Sequence, residues 1–234
     1  MHFTPLGDQA LMLEVGDAIN EPTHRRVQEA WRALAAAPLP GVTELVPAYT
    51  TVTVFYDPLQ AVQAGAPEAD IAGRLTAQVQ ARLKHPPKME KAKPRTVEIP
   101  VCYGGEFGPD LGLVAKHAKL TPEEVIKRHT KAEYLVYLVG FAPGFPYLGG
   151  LPKELETPRH AKPRMNVPPG SVGIGGAQTG IYPLATPGGW NLIGRTPERM
   201  FRPADEPPVR LQAGDRVTFR AITPAEFERL EARA

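Results

Sequence analysis

Apolar and polar residues follow two periods that alternate along the first 86 residues. QALMLEV, residues 9–15, alternates as a half-buried strand does, and HFTP before it can pair with it as a hairpin. Residues 21–37 carry apolar side chains at helical spacing, with Asn20 as the predicted N-cap. Two strand-like runs, VTELVPAY and TTVTVFY, precede a second helical pattern at 68–85. This order predicts a small α/β sandwich close to a split βαβ unit.

The pattern changes in the second part of the chain. A strand-like run, RTVEIPVCY, is followed by two short helical patterns and by AEYLVYLVGF, a strong strand candidate. Thr121 and Glu124 have the spacing of a capping box at the start of the second helix. From there to about residue 222, short runs such as SVGIGG, GIYPLA, GWNLIG, PVRLQ and DRVTFRAI stand between glycines and prolines. Many short strands with turn signals predict a β-barrel or sandwich, and an α+β protein overall.

The segment KHPPKMEKAKPR, residues 84–95, marks the boundary between the two patterns. It is rich in cations and prolines and poor in apolar residues. We therefore predict a small α/β domain at 1–86, an interdomain linker at 87–95 and a β-rich domain at 96–234. A solvated loop within one domain is the alternative that the sequence leaves open.

Composition excludes several classes of protein. A chain of 234 residues with 42% hydrophobic residues can bury a core, and a net charge of +2 gives no broad basic field for nucleic acid or an anionic membrane. The single cysteine, Cys102, excludes an intramolecular disulfide. With no apolar run near ~20 residues and no signal-peptide pattern, we expect a cytoplasmic protein. The 27 prolines and scarce asparagines indicate a thermophilic source.

A segment without acidic residues is the main signal of chemistry. No Asp or Glu occurs between Thr157 and Pro197, which we call the acid-free segment. Its cationic side chains are Arg159, His160, Lys162, Arg164 and Arg195. Because a guanidinium group offers a rigid fork of donors to planar anions, the segment predicts an anion site. An exposed basic loop that serves solubility or docking of another chain is the alternative.

Arg195 belongs to a segment that nearly matches a phosphate-binding loop. GWNLIGRT, residues 189–196, resembles GxxxxGK[ST] with arginine in place of lysine. No helical pattern follows it, so we do not interpret it as a P-loop. Arg195 can still contact an anion from a strand end or form a structural salt bridge.

Three further residues are candidates for chemistry. Asp110 and Glu106 are the nearest carboxylates that a loop could bring to the acid-free segment, and we favour a helix N-cap for Asp110 over a base or metal ligand. His129, shortly before the strand that enters GFAPGFPYLGGLP, is the best placed histidine. A catalytic role and a hydrogen-bonded structural role both stay open for it.

Four collinear motifs carry a family resemblance. They are YGGEFGPDL (103–111), YLVYLVGFAPGFPYLGGLP (134–152), PRHAKPRMNVPPGSVGIGGAQTGIYP (158–183) and PGGWNLIGRTP (187–197). Together they resemble the family variously called allophanate hydrolase subunit 1, the kinase inhibitor KipI and the B subunit of bacterial ATP-dependent 5-oxoprolinase. GDQALMLEVG near the N-terminus agrees with this resemblance.

The resemblance implies a cyclophilin-like β-barrel after the small α/β domain. It also implies a non-autonomous B subunit that works with a homologous C subunit, barrel to barrel, and with an amidohydrolase-type A subunit. Such a complex opens 5-oxo-L-proline to L-glutamate and hydrolyses ATP, as Mg-ATP shared with the partner chain. A KipI-like inhibitor of a sensor histidine kinase is the alternative.

The acid-free segment and the resemblance together give a set of predicted site residues. We expect two catalytic residues, His129 and Arg195. We expect the substrate or anion to contact Arg159, Arg164, Gln178, Thr179 and Tyr182. We expect no bound metal.

Overall fold

The computed structural model describes residues 1–86 and 95–233. The chain divides into two compact units, Met1–Lys93 and Pro94–Ala234, and each has its own hydrophobic core. The predicted linker at 87–95 lies outside the described residues except for Arg95. That residue belongs to the second unit, where its guanidinium donates to the Asp215 carboxylate and to the Arg210 carbonyl.

Over residues 1–86, the first unit has a four-stranded sheet, three α-helices and a 3₁₀ helix at Glu68–Asp70. Its elements are β1 (His2–Pro5), β2 (Ala10–Glu14), α1 (Glu21–Ala35), β3 (Val42–Pro47), β4 (Thr51–Tyr56), α2 (Pro58–Gln63) and α3 (Ile71–Lys84). The strand order is β1-β2-β4-β3, and all neighbours are antiparallel. β2 and β3 therefore run in the same direction with β4 between them, and α1 connects them. This topology confirms the predicted split βαβ unit.

The helical stripes read from the sequence are the buried faces of this unit. Val27 and Leu34 of α1 and Leu75 and Val79 of α3 are at most 1% exposed. Asn20 caps α1 as predicted, because its side chain accepts a backbone N–H three residues later at 2.8 Å. Helix α2 was not predicted, because six residues are too short for a periodic pattern.

The second unit is built around a closed barrel of seven strands. Its elements are β5 (Thr96–Tyr103), α4 (Leu111–Ala118), α5 (Pro122–Lys131), β6 (Glu133–Val139), β7 (Pro146–Gly149), β8 (Arg164–Val167), β9 (Ser171–Gly175), β10 (Gln178–Ile181), β11 (Thr186–Gly188), β12 (Asn191–Arg195), β13 (Arg216–Ala221) and α6 (Pro224–Glu231). The barrel order is β10-β7-β6-β13-β5-β12-β9, and β9 pairs again with β10. β8 and β11 form a separate ribbon. The α+β fold with a barrel is confirmed, while the cyclophilin-like detail stays a prediction.

Details of the second unit show where the sequence was informative. Thr121 and Glu124 form both bonds of the predicted capping box on α5. The predicted run PVRLQ is not a strand, since Val209 forms only an isolated bridge with Phe201. β8 was missed because its residues lie among prolines and cations. Among the described residues, no helix is long and apolar enough to cross a membrane.

Candidate functional site

Trp190 packs on a face of the barrel wall that glycines leave open. Ile174 of β9 belongs to the barrel core, so its neighbour Gly175 faces the other side of the strand. A Cβ at Gly175 would lie 2.6 Å from the indole of Trp190, and one at Gly180 would lie 3.0 Å from it. The two glycines therefore let the indole lie directly against β9 and β10. Glycines spaced along neighbouring strands were the sequence signal for this contact, and our interpretation missed it.

Four more aromatic rings complete the surface around Trp190. The ring of Phe145 meets those of Tyr147, Tyr182 and Trp190 edge to face at centroid distances of 4.9, 5.2 and 5.5 Å. Phe141 joins this group through Phe145 at 5.5 Å. We call these five residues the aromatic wall. GFAPGFPYLGGLP supplies three of them, so this motif forms a structural rim beside the acid-free segment.

Residues 158–164, the basic loop, are fixed to the segment that carries Trp190. The side-chain amide of Asn191 donates to the carbonyl of Pro158 at 2.9 Å. The backbone N–H of His160 donates to the carbonyl of Gly189 at 2.7 Å. These two anchors lie on either side of Arg159, so the backbone of Arg159 is positioned before any ligand arrives.

Asp110 provides a third anchor for the basic loop. Its buried carboxylate accepts from the guanidinium of Arg164 at 2.6 Å and from the backbone N–H of Leu192 at 2.7 Å. Nε2 of His160 lies 3.3 Å from the same carboxylate. Asp110 stands at the N-cap position of α4 but makes no side-chain capping bond. The predicted capping role is therefore wrong, because both oxygens bind other partners.

A cavity of about 320 Å³ lies between the aromatic wall and the basic loop, and Arg159 and His160 line it. The guanidinium of Arg159 lies over the indole of Trp190 at 5.5 Å from the ring centroid. Among the described residues, no carboxylate lies within 4 Å of Arg159. Burial raises the pKa of Tyr147 and of Tyr182, so both phenols keep their protons at neutral pH. The cavity thus offers one cation and a flat aromatic surface.

Arg195 lies at a different cavity of about 160 Å³, which Thr196 and Glu231 also line. Its guanidinium is 3.5 Å from the carboxylate of Glu231 and 5.5 Å from the ring centroid of Phe227. Strand β12 ends at Arg195 and no helix follows, which confirms that this segment is not a P-loop. The structure does not bring Arg195 to Arg159.

His129 and Thr179 are fully buried in the second unit and do not line the cavity. The hydroxyl of Thr179 donates to the carbonyl of Gly173 at 3.0 Å, so its oxygen accepts from Nε2 of His129 at 3.1 Å. Nδ1 of His129 then accepts from the hydroxyl of Tyr103 at 2.8 Å. This chain of bonds selects the neutral Nε2–H tautomer. Gln178, half-buried, begins β10 beside Thr179.

His129 predicts how stability depends on pH. Burial lowers the pKa of His129 from 6.5 to about 3. Between these values the unfolded chain binds a proton that the folded chain does not, so stability falls as pH falls through this window, by about 1.4 kcal/mol per pH unit. We expect His129→Gln to reduce that slope between about pH 6.5 and 4.5 in urea unfolding series. The same slope in His129→Gln as in the wild type would contradict the neutral, buried assignment.

His117→Gln is the matched control for this experiment. His117 lies exposed on α4, close in sequence to α5. This variant also removes one histidine but disturbs no buried one, so a change of slope seen only in His129→Gln can be attributed to the buried side chain.

The described residues also bear on metal binding. Across residues 1–86 and 95–233, no cluster of three or more His, Cys, Asp or Glu side chains is suited to hold a metal ion. Glu106 is exposed in the turn after β5. Of the two carboxylates considered near the acid-free segment, Asp110 is the one that contacts it.

Fold and site together define a two-unit α+β protein whose barrel carries an arginine-bearing aromatic cavity on its wall. The model of the carboxyltransferase domain, subdomains C and D, matches residues 1–211. The chain belongs to this family.

Named relatives agree with the family assignment. The chain is 48% identical over 224 residues to the B subunit of 5-oxoprolinase from Bacillus subtilis, which covers 95% of this chain and 93% of the relative. It is 43% identical to the B subunit of 5-oxoprolinase from Escherichia coli O157:H7, over 92% of this chain and 93% of the relative. The crystal structure of TTHA0988 superposes with a TM-score of 0.78 at 38% identity and covers 92% of this chain. This chain spans 40% of that longer chain.

Proposed function

We propose that the chain is the B subunit of an ATP-dependent 5-oxoprolinase that opens 5-oxo-L-proline to L-glutamate. The observation that carries this proposal is the 48% identity to the B subunit of 5-oxoprolinase from Bacillus subtilis over 95% of this chain. The proposal includes a homologous C subunit and an amidohydrolase-type A subunit as partners. It places the complex in the cytoplasm.

The residues of the cavity support a non-autonomous role for this chain. The lining contains no serine, cysteine or lysine among the described residues, and the imidazole of His160 is directed at Asp110. The cavity can therefore bind and orient a substrate but offers no activated nucleophile. If the lactam oxygen is activated by phosphorylation, cations beyond Arg159 would be needed, and we propose that the partner chains supply them.

The cavity does not fit Mg-ATP. Arg159 is the one described cation lining it that is free of a carboxylate, whereas a triphosphate needs several cations and its Mg²⁺ needs oxygen ligands. We therefore propose that nucleotide is bound at a surface shared with the partner chain.

The proposed roles of the predicted site residues differ from one another. Arg159 and Tyr182 line the cavity and face the substrate, and Arg164 positions the basic loop through Asp110. We propose that Arg195 acts at the separate cavity that it lines. We propose a structural role for His129, which is buried on α5. We propose the same for Gln178 and Thr179, which belong to strand β10 of the barrel.

Reconstitution tests the proposed function. The chain is purified, mixed with the A and C subunits, and assayed for glutamate and phosphate released from 5-oxo-L-proline and ATP. We expect both products only when all three proteins are present. An inactive mixture, together with inhibition of histidine kinase autophosphorylation by this chain alone, would favour the KipI-like alternative instead.

A further inference from the structure

We infer that the cavity between Arg159 and the aromatic wall binds a small, nearly flat ring that carries a carboxylate. In this site Arg159 binds the carboxylate and the aromatic wall holds the ring. The inference rests on the proposed function for the identity of the probe. It adds which part of the substrate each group of side chains binds.

The orientation of Arg159 leaves its donors available. One face of the guanidinium lies over the indole of Trp190 at 5.5 Å from the ring centroid. Cation–π contact uses that face, whereas the N–H groups point outward in the plane of the group. A carboxylate can therefore bind edge-on through two parallel hydrogen bonds while the stack on Trp190 stays in place.

The charges around the cavity favour an anion. The acid-free segment contributes no carboxylate, and the carboxylate of Asp110 is already bound by Arg164 and Leu192. No described side chain therefore competes with a ligand for Arg159. The positive potential of Arg159 is left for the ligand.

The size and lining of the cavity favour a small ring. Its volume of about 320 Å³ is at the lower end of ligand pockets, which favours a small ligand. Tyr147, Tyr182 and Trp190 line it with aromatic ring surface. A flat ring that carries a carboxylate matches aromatic surface beside a single guanidinium.

The backbone at Phe141 supports a binding role for the rim. Phe141 has φ +71°, a left-handed conformation that bulky residues rarely adopt, and its side chain is 64% exposed. Such strain persists where the surrounding structure enforces it, and it concentrates at ligand sites. The strained backbone turns an exposed aromatic ring toward the cavity, which Phe141 lines.

Trp190 is the built-in reporter for a binding test. The chain has two tryptophans, and the other, Trp31, belongs to the first unit. In a Trp31→Phe background, titration with 5-oxo-L-proline should change the fluorescence of Trp190 in a saturable way. 2-Pyrrolidinone, which has the lactam ring without the carboxylate, should bind at least about tenfold more weakly, because it cannot use Arg159.

Arg159→Ala tests the residue that binds the carboxylate. We expect it to weaken binding of 5-oxo-L-proline by about tenfold or more and to remove the discrimination against 2-pyrrolidinone. Lys162→Ala is the matched control, because it removes the same charge from an exposed position of the same loop that does not line the cavity. Equal affinities in Arg159→Ala and the wild type would overturn the inference.

Phe141→Gly separates a binding role from a structural one. Glycine relieves the left-handed backbone strain, which stabilises the folded state. It also loses the ring contact with Phe145 and raises the entropy of the unfolded chain, which destabilise it. Because these effects oppose one another, the free energy of unfolding should stay close to that of the wild type. Affinity for 5-oxo-L-proline should nevertheless fall severalfold. Unchanged affinity would remove Phe141 from the site.

The binding test and the reconstitution test fail separately. Glutamate release by the three-protein mixture without binding through Arg159 would overturn the inference and leave the proposed function intact. Binding through Arg159 without glutamate release by the mixture would overturn the proposed function and leave the inference intact.

Discussion

Replacement of Gly108 by alanine is expected to destabilise the second unit by about 3 kcal/mol or more. A Cβ at this position would lie 2.0 Å from the carbonyl oxygen of Ile193 and 2.2 Å from its carbonyl carbon. Both atoms belong to the backbone of β12, which pairs with β5 and β9 and cannot shift without opening the barrel. Urea unfolding followed by the fluorescence of Trp190, in a Trp31→Phe background, measures this loss.

Gly112→Ala provides a matched control on the neighbouring helix. Gly112 lies in α4, and apart from its chain neighbours and the backbone of that helix a Cβ there would meet no atom within 4 Å. Because alanine loses less conformational entropy than glycine when a helix folds, the free energy of unfolding should rise by up to about 1 kcal/mol. If Gly108→Ala unfolded at the same urea concentration as the wild type, the close packing of β12 on the Gly108 turn would be contradicted.

Replacement of Asp110 by alanine is the second large effect that we expect. The change leaves the guanidinium of Arg164 and the backbone N–H of Leu192 without their carboxylate partner. Loss of one partner from a buried ion pair lowers the free energy of unfolding by about 3–5 kcal/mol. We expect a loss of about 2–3 kcal/mol here, because the side chain of Arg164 is 31% exposed and water screens its charge. A double-mutant cycle with Arg164→Met should show that the two losses are not additive.

The pair between Arg128 and Glu154 is the control for this experiment. The guanidinium nitrogen of Arg128 and the carboxylate oxygen of Glu154 are also 2.6 Å apart, but the two side chains are 39% and 54% exposed, respectively. Because water screens such pairs, Glu154→Ala should change the free energy of unfolding by less than about 1 kcal/mol. Equal losses in Asp110→Ala and Glu154→Ala would contradict the anchoring role of Asp110.

Periodic and local features of the fold could be read from the sequence. The buried stripes of α1 and α3, the cap at Asn20 and the capping box at Thr121 each depend on residues within a few positions of one another. Their physical causes are local, so a short window of sequence contains them. The short strands separated by turn residues likewise predict a β-rich second domain, but its closure into a barrel depends on pairing between distant strands.

The site depends on contacts between residues far apart in the chain. Asp110 and Arg164 are separated by 54 positions, and no spacing rule predicts that they meet. Asp110 was interpreted as a cap because its local sequence suits one, whereas tertiary partners take both of its oxygens. His129 shows the same limit, because its position in sequence says nothing of the complete burial that holds it neutral.

The acid-free segment was informative in part. It contains the arginine that lines the cavity, yet its five cationic side chains have different surroundings. Arg164 and Arg195 lie beside carboxylates, while Arg159 stacks on Trp190 and meets no carboxylate among the described residues. Composition predicts a positive segment, but only the pairing of each cation shows which one is available to a ligand.

The most direct test of the account is the steady-state KM for 5-oxo-L-proline in the reconstituted three-protein enzyme. Arg159→Ala is compared with Lys162→Ala, with each variant first shown to assemble with the A and C subunits. We predict that KM rises about tenfold or more in Arg159→Ala and stays within about twofold of the wild type in Lys162→Ala. The same KM in Arg159→Ala and the wild type would contradict the account.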